Sequence, residues 1–250
     1  MNRSARVLYH WIAQFADPLK LVRALSELPW YCAAVWRYRS MPAERAGDRD
    51  FSLLPVFGQR GSHELDYHYV FVGAWAARRI VGLRPEVHID VGSQIGFTTV
   101  LSAVVPTVSV EFRELKLDVP GFRSVTGDIL RLPFESGSVL SLSCLHVIEH
   151  IGLGRYGDPL DPNGSIKAAQ ELSRVLAVGG QLLIALPQGR PRVCFNAHRV
   201  HDSRQVIAMF SGLKLLEFSG VDDDGRYLEN REPVALDSCE YGCGFYRFSK

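Results

Sequence analysis

The sequence predicts an α/β fold: a doubly wound, mostly parallel sheet of seven strands, preceded by a helical extension. Three observations carry this. His88-Ile89-Asp90-Val91 is a short apolar run that ends in the turn Gly92-Ser93-Gln94-Ile95-Gly96 and passes into the Thr-rich segment Phe97-Thr98-Thr99. Further short apolar runs follow, separated by helical stretches, which is how parallel strands joined by crossover helices read. The chain then closes with two β-type runs, Leu213–Phe218 and Gly244–Ser249.

The elements follow in order. Residues 1–45 read as helical and amphipathic: Val7, Leu8, Trp11, Ile12 and Phe15 keep helical spacing. Asp17-Pro18 starts a second helix bearing Leu19, Val22 and Leu25, and Pro29 starts a third short segment with Trp30, Tyr31, Val35 and Trp36. Arg3, Arg6, Lys20, Arg23, Arg37 and Arg39 punctuate this region. Two readings stay open. One is packing on the domain or on a second copy in a homodimer. The other is peripheral contact with a membrane, where Trp, Tyr and Arg favour headgroup depth. Asp17, Glu27 and Glu44 dilute the basic face and weigh toward packing. Gly47, Pro55, Gly58 and Gly61 mark a linker, so the division is an extension and linker over 1–61 and a main domain over 62–250.

Ser62–Val81 reads as a helix capped by Ser62, with Leu65, Tyr69, Val72 and Ala76 on one face. After the run at 88–91, strands are expected at Val108–Glu111, Ser124–Ile129 and Val139–Leu145. A helix over Ser165–Leu176 then leads through the Gly179-Gly180 turn into a fifth strand ending near Pro187. Asp202-Ser203 starts a helix through Phe210, and Asp222-Asp223-Asp224-Gly225 reads as a solvated turn.

Composition bounds the function. A chain of 250 residues with 47% hydrophobic content can bury a sizeable core. A formal net charge of +1 gives no pull toward nucleic acid, and no basic stripe with interleaved aromatics stands out. Five scattered cysteines, Cys32, Cys144, Cys194, Cys239 and Cys243, point to a reducing, cytoplasmic setting. Cys239-x-x-x-Cys243 has no second pair, so zinc is not expected from it. The N-terminus lacks a signal-peptide pattern, and no apolar run approaches the roughly 20 residues a membrane span needs. Location at the inner face of a membrane would therefore be peripheral, through residues 1–45.

The ordered set of strand ends over about residues 85–190 resembles the class I S-adenosylmethionine-dependent methyltransferases, a Rossmann-like fold. That resemblance implies S-adenosylmethionine as cofactor. Asp90, Gly92, Ser93, Gln94, Gly96 and Phe97 would pass its methionine end, and Glu111 would accept from the ribose diol. Asp128 would face the adenine amino group beside the apolar Ile129, and Leu145 and His146 would face the sulfonium. In such enzymes the helix before the first strand often closes over the cofactor, which makes Tyr67, His68 and Tyr69 lid candidates; taken singly, each reads somewhat more readily as a core aromatic. Two departures stand out: Gln94 takes a position usually small or glycine, and Leu140 stands where an Asp often starts the fourth strand.

Transfer to a hydroxyl requires a base, and His is the side chain best tuned near neutral pH. His146, Glu149 and His150, just beyond the fourth strand, are the catalytic candidates. The Gly-, Pro- and Asp-rich segment 152–164 is long enough to be functional. Arg155, Tyr156, Asp158 and Asp161 in it, with His198 and His201 further on, are acceptor-side candidates. Asp158 and Asp161 read alternatively as caps for the helix that follows. The segment also resembles an uncharacterised methyltransferase-like family, a domain of unknown function whose bacterial members tend to lie near cell-surface polysaccharide genes. This implies a glycan or small polar acceptor and a place in polysaccharide biosynthesis. Metal-dependent RNA 2′-O-methyltransferases use an acid, a Glu-His pair and a distant His. Here His146 replaces the first acid, so no metal is assigned. The alternatives kept are that RNA-modifying activity and a catalytically silent cofactor-fold subunit docking a partner through Trp11, Trp30 and Trp36.

Overall fold

A computed structural model describes residue 12, residues 16–40 and residues 65–250. The helical periodicity at residues 7–15 apart from Ile12, the linker glycines and the Ser62 cap lie outside the described residues. Two compact units divide at Leu65/Asp66. In the first, Pro18–Ser40 forms one helix, α1. The Asp17 carboxylate starts it by accepting from the N–H groups of Leu19 and Lys20 at 3.0 and 3.2 Å. The expected break at Pro29 does not occur: the helix runs through it, forgoing one backbone bond. No helix among the described residues is long and apolar enough to cross a membrane.

The second unit opens with α2, Tyr67–Leu83. Its cap is Asp66 rather than Ser62; the Asp66 carboxylate accepts from Tyr69 N–H. Its inward stripe is Val72, Trp75, Ala76 and Ile80, while Leu65 and Tyr69 are exposed. The strands and helices then run β1 (His88–Val91), α3 (Ile95–Leu101), β2 (Thr107–Glu111), β3 (Phe122–Thr126), β4 (Val139–Leu145), α4 (Gly164–Val175) and β5 (Leu176–Gln188). They continue β6 (Arg192–Cys194), β7 (His198–Val200), α5 (Ser203–Met209), β8 (Lys214–Val221), β9 (Tyr227–Leu228), a 3₁₀ turn (Pro233–Leu236) and β10 (Gly242–Ser249). The Asp202 cap is a full capping box with Gln205.

The main sheet has the order β3-β2-β1-β4-β5-β10-β8-β9. β1 to β5 are parallel, and β10, β8 and β9 add antiparallel to one edge. The sheet thus has eight strands where seven were expected; the addition is the two-residue β9, too short to leave a sequence pattern. β6 and β7 form a separate ribbon. The Gly179-Gly180 pair is not a turn before β5 but an irregularity inside it. Between Val139↔Leu176 and Ser141↔Gln181, β4 advances two residues and β5 five, with Gly179 at φ +76°.

Alternation along β5 divides the core between the two faces of the sheet. Leu182, Ile184 and Leu186 pack with α4 and α5 residues such as Leu172, Val175 and Val206. Leu183 and Ala185 pack with Trp75, Ile80, Leu101 and Phe245 beneath α2 and α3. Each such large buried side chain contributes roughly 1.5–3 kcal/mol. Glu217 on β8 locks α2 in place, accepting from Arg79 Nη2 at 2.6 Å and Trp75 Nε1 at 3.1 Å and pairing with Arg247 at 3.4 Å.

Candidate active site

Strand order reverses between β1 and β4, and in a doubly wound sheet the crevice for a ligand opens beyond the carboxyl ends of the strands at that point. The turn after β1 lies there. Gly92 adopts φ +69°, and a Cβ on it would press both Val147 methyls at 3.4 Å. Gly92, Gln94 and Gly96 are exposed, and a Cβ on Gly96 would meet nothing within 4 Å. Gln94 caps α3 without a side-chain hydrogen bond. Phe97 is half-buried and packs against the core under α2.

Asp90 and Ser93 are placed differently from the expectation that they contact a ligand. Asp90 is fully buried. Its Oδ1 accepts from Ser93 N–H at 3.0 Å, and its Oδ2 accepts from the Ser93 hydroxyl at 2.6 Å and from the Ser143 hydroxyl. Ser93 Oγ in turn accepts from Leu145 N–H at 3.0 Å. The carboxylate and hydroxyl therefore clamp the β1 turn onto β4 and hold its shape from behind. Burial raises the Asp90 pKa to about 6 against the three hydrogen bonds that lower it.

Glu111 ends β2, half-buried, and accepts from Ser109 Oγ at 2.7 Å. Burial raises its pKa, and that hydrogen bond partly offsets the rise. Asp128 is exposed after β3, with Oδ1 bonded to Leu130 N–H at 2.9 Å. Ile129 and Leu145 are buried.

Beyond β4 the chain turns sharply. His146 takes φ +59°, a left-handed conformation rare for a side-chain-bearing residue. Its Nδ1 lies 3.2 Å from Glu149 Oε1, and its Nε2 lies 3.3 Å from Cys243 Sγ. Glu149 is 1% exposed, and its second oxygen has no hydrogen-bond partner. Burial alone would raise the Glu149 pKa; His146 and His150 outweigh it and keep the carboxylate ionised. For His146, burial opposes the charge, but the Cys243 sulfur and Glu149 hold its proton well above the usual histidine range. His150 Nδ1 is 2.6 Å from the Ala197 carbonyl, so Nδ1 carries the proton and donates it there. The basic nitrogen is then Nε2, 3.8 Å from Glu149 Oε1.

Aromatic rings enclose this group. His68 and Tyr69, from the first turn of α2, lie 5.8 and 4.9 Å from the His146 ring. Tyr241 stacks on His68 and meets His198 at a tilt, with centroids 5.1 and 5.0 Å away. The Asp223 carboxylate fixes that tyrosine's backbone by accepting from Glu240 and Tyr241 N–H, both at 2.7 Å. The Asp222–Asp224 turn is therefore more than a solvated bend. Burial lowers the pKa values of His68 and His198.

The 152–164 segment is built around its own acids. Asp158 accepts from the N–H groups of Gly152, Gly154 and Tyr156 at 2.7, 3.3 and 3.2 Å. Asp161 accepts from Asn163 N–H at 2.9 Å and pairs with Lys167 at 2.6 Å. Both are expected on the acceptor side; in the structure their carboxylates hold the segment's own backbone N–H groups and Lys167. Arg155 and Tyr156 are exposed; Arg155 donates to Ala197 O at 2.9 Å, and the Tyr156 ring meets His150 edge-on at 5.8 Å. His201 faces inward, with a buried Nε2 that has no hydrogen-bond partner, so burial keeps it neutral and it is not placed as an acceptor contact. Arg199 was not singled out by sequence. It is buried beneath the segment and donates to Ile151 O at 2.6 Å and Asp161 O at 3.1 Å. A cavity of about 670 Å³ lies at the opposite edge, lined by Leu83, Pro85, Val87, Ile89, Phe134 and Leu140.

Solved structures share this architecture. The N-methyltransferase NodS from Bradyrhizobium japonicum WM9, in complex with S-adenosyl-L-homocysteine, is 13% identical over 74% of this chain and 88% of its own, with a TM-score of 0.51. A candidate sarcosine dimethylglycine methyltransferase from Galdieria sulphuraria is 13% identical over 72% and 85%, at 0.51. The fold is that of the class I methyltransferases. The [4+2]-cyclase SpnF is similar to this chain as well, at 12% identity, 71% and 81% coverage and a TM-score of 0.51, so the fold alone does not name a reaction. Residues 138–238 match a family described as Caenorhabditis protein of unknown function, DUF268. That stretch begins one residue before β4 and spans His146, Glu149, His150 and the 152–164 segment. No curated protein matches.

Proposed function

We propose that this chain is an S-adenosylmethionine-dependent methyltransferase acting on a hydroxyl of a saccharide or related small polar acceptor. The carrying observation is a juxtaposition at the switch point. The open Gly92–Gly96 turn, the Glu111 carboxylate and the His146-Glu149-His150 group all stand at the carboxyl ends of β1, β2 and β4. The residues present fit the cofactor. The space beside Gly96 admits its methionine end, Glu111 offers two oxygens for a vicinal diol, and Asp128 offers an acceptor for an amino group. When bound, the cofactor supplies an electrophilic methyl group.

The chain's own part is positioning and proton removal. Displacement needs its two partners held in line, and well-oriented placement supplies a large share of such a rate. His150 is the base: its Nδ1 proton is tied to Ala197, leaving Nε2 to accept the hydroxyl proton, and Glu149 stabilises the imidazolium that forms. The half-exposed rings of Tyr69, Tyr156 and Tyr241 offer flat, amphipathic surfaces of the kind that sugar rings lie against.

Calorimetric titration with S-adenosylmethionine and S-adenosylhomocysteine tests the first half. Wild type should bind both, and Glu111→Ala should lose binding. Turnover on a panel of saccharide acceptors tests the second: His150→Gln should keep cofactor affinity and lose rate. A chain that binds neither nucleoside is not a methyltransferase.

A further inference from the structure

We infer that His68, His146 and Cys243 form a binding site for a borderline-soft divalent metal, zinc foremost, beside the proposed methyl-transfer centre. One ligating atom from each of the three lies within 4.8 Å of the other two. They come from three separate elements: the first turn of α2, the left-handed corner after β4, and β10. The 3.3 Å between His146 Nε2 and Cys243 Sγ is close to the separation that a tetrahedral ion imposes, given metal–nitrogen and metal–sulfur bonds of about 2.0–2.1 and about 2.3 Å.

The surroundings orient these ligands as a metal requires. Metal-bound histidines characteristically give their other ring nitrogen to a carboxylate or a backbone carbonyl. His146 gives Nδ1 to Glu149 and turns Nε2 to the sulfur. His68 has the backbone of Tyr241 as its hydrogen-bonding neighbour. Cys243 is fully buried, and its sulfur has an imidazole beside it in place of purely apolar packing. The corner at His146 is a conformation that persists only where neighbours over-determine it. Two imidazoles and a thiolate select zinc over magnesium or calcium, which demand oxygen ligands.

Three protein ligands leave one of four positions open, the arrangement of a catalytic rather than a structural zinc. On binding, the Cys243 S–H bond breaks, its proton goes to solvent, and the thiolate pair forms the bond to the metal. The open position takes water or the oxygen of the acceptor, whose proton the charge of the ion loosens. The acceptor's place there rests on the methyl-transfer reading; the metal site does not.

The test uses the full chain stripped of metal and titrated with cobalt(II), then zinc. A thiolate-to-cobalt charge-transfer band should saturate at one equivalent and be bleached by zinc. Cys243→Ser should abolish the band. Because Cys243 is in the core, His68→Ala, at the half-buried start of α2, is the second variant. It should weaken zinc binding by more than the about 10–100-fold that loss of an outer partner costs, with the circular dichroism unchanged. Glu149→Gln should fall within that 10–100-fold range. Wild type without a band at one equivalent, or a Cys243→Ser band equal to wild type, overturns the site. S-adenosylhomocysteine titrated into the metal-free chain separates the two ideas. Binding there with no cobalt band leaves the methyltransferase reading standing and removes the metal, and a band without nucleoside binding does the reverse.

Discussion

His88 and Asp90, two residues apart on β1, are joined through one hydroxyl, that of Ser143. Ser143 has a single proton and gives it to Asp90 Oδ2. The bond of 2.9 Å between His88 Nε2 and Ser143 Oγ must then run from the imidazole to the hydroxyl. That fixes the tautomer, and Ser141 Oγ donates to His88 Nδ1 at 2.8 Å. All of these groups are buried. The chain of bonds links the interior of the sheet to Ser93 and so to the Gly92 turn.

This arrangement gives opposed pH responses. Burial lowers the His88 pKa from 6.5 to about 3, so the unfolded chain takes up a proton that the folded chain refuses. That contribution is present above pH 6.5 and is lost as pH falls toward 3. Burial raises the Asp90 pKa from 3.8 to about 6, so the folded chain takes up its proton first. Stability is gained as pH falls from 6 to 3.8. Between pH 6 and 4 the two slopes oppose each other at about 1.4 kcal/mol per unit. Asp90→Asn should therefore lose stability on acidification more steeply than wild type, and His88→Gln less steeply. Urea midpoints measured from pH 7 to 4 check both; parallel profiles for all three proteins would refute the opposition.

Gln188 should be among the costliest single positions. Its side-chain amide donates to Pro233 O at 2.7 Å and Asp237 Oδ1 at 2.9 Å, and its Oε1 accepts from Tyr246 O–H at 2.7 Å. Gln188→Leu strands the Pro233 carbonyl and the Tyr246 hydroxyl away from water, at about 1–3 kcal/mol for each unsatisfied group, while Asp237 Oδ1 keeps its bond from Ser203 N–H at 2.8 Å. Tyr246→Phe removes only the donor to Oε1. Thermal unfolding should rank Gln188→Leu well below Tyr246→Phe, and their double variant should be less than additive because they share a bond.

Legibility in the sequence followed the range of the interactions. Four of the five parallel strands could be read because a glycine or an acid closes the run, and Glu111 at the end of β2 was found that way; β4 was legible as an apolar run that passes into His146. β6 and β7 were not, because Arg192–Cys194 and His198–Val200 carry no continuous apolar pattern and pair only through a ribbon. The roles of Asp158 and Asp161 turned on backbone N–H groups, which sequence does not display. His68 and Cys243 escaped as a pair because they lie far apart in the chain, and only α2 and β10 packing at the same sheet edge brings them to His146. A buried arginine such as Arg199 leaves a weak signal, a basic residue inside a short β run.

Gly152 should control the shape of the 152–164 segment. It adopts φ +81°, and an added Cβ would collide with the Asp161 carbonyl. Its N–H is also one of the three held by Asp158. Gly152→Ala should disorder the segment while leaving the sheet intact. The signature would be a new protease-sensitive site between 152 and 164 with little change in global midpoint.

Asp158→Ala removes the same scaffold from the other side and separates folding from chemistry. The carboxylate holds three backbone N–H groups, and those bonds keep its pKa low despite the opposing effect of burial. It therefore stays charged across the neutral range. No cofactor candidate lies within the segment, so S-adenosylhomocysteine affinity should be unchanged in the variant. The segment does place Tyr156 against His150, and Arg113 Nη2 reaches the Tyr156 carbonyl at 2.9 Å. If acceptors are bound under this segment, losing its frame should raise KM for the acceptor severalfold more than it lowers kcat, because the lost contacts hold ground state and transition state alike. A matching fall in kcat with KM unchanged would instead put Asp158 next to the reacting atoms and reverse its assignment as scaffold.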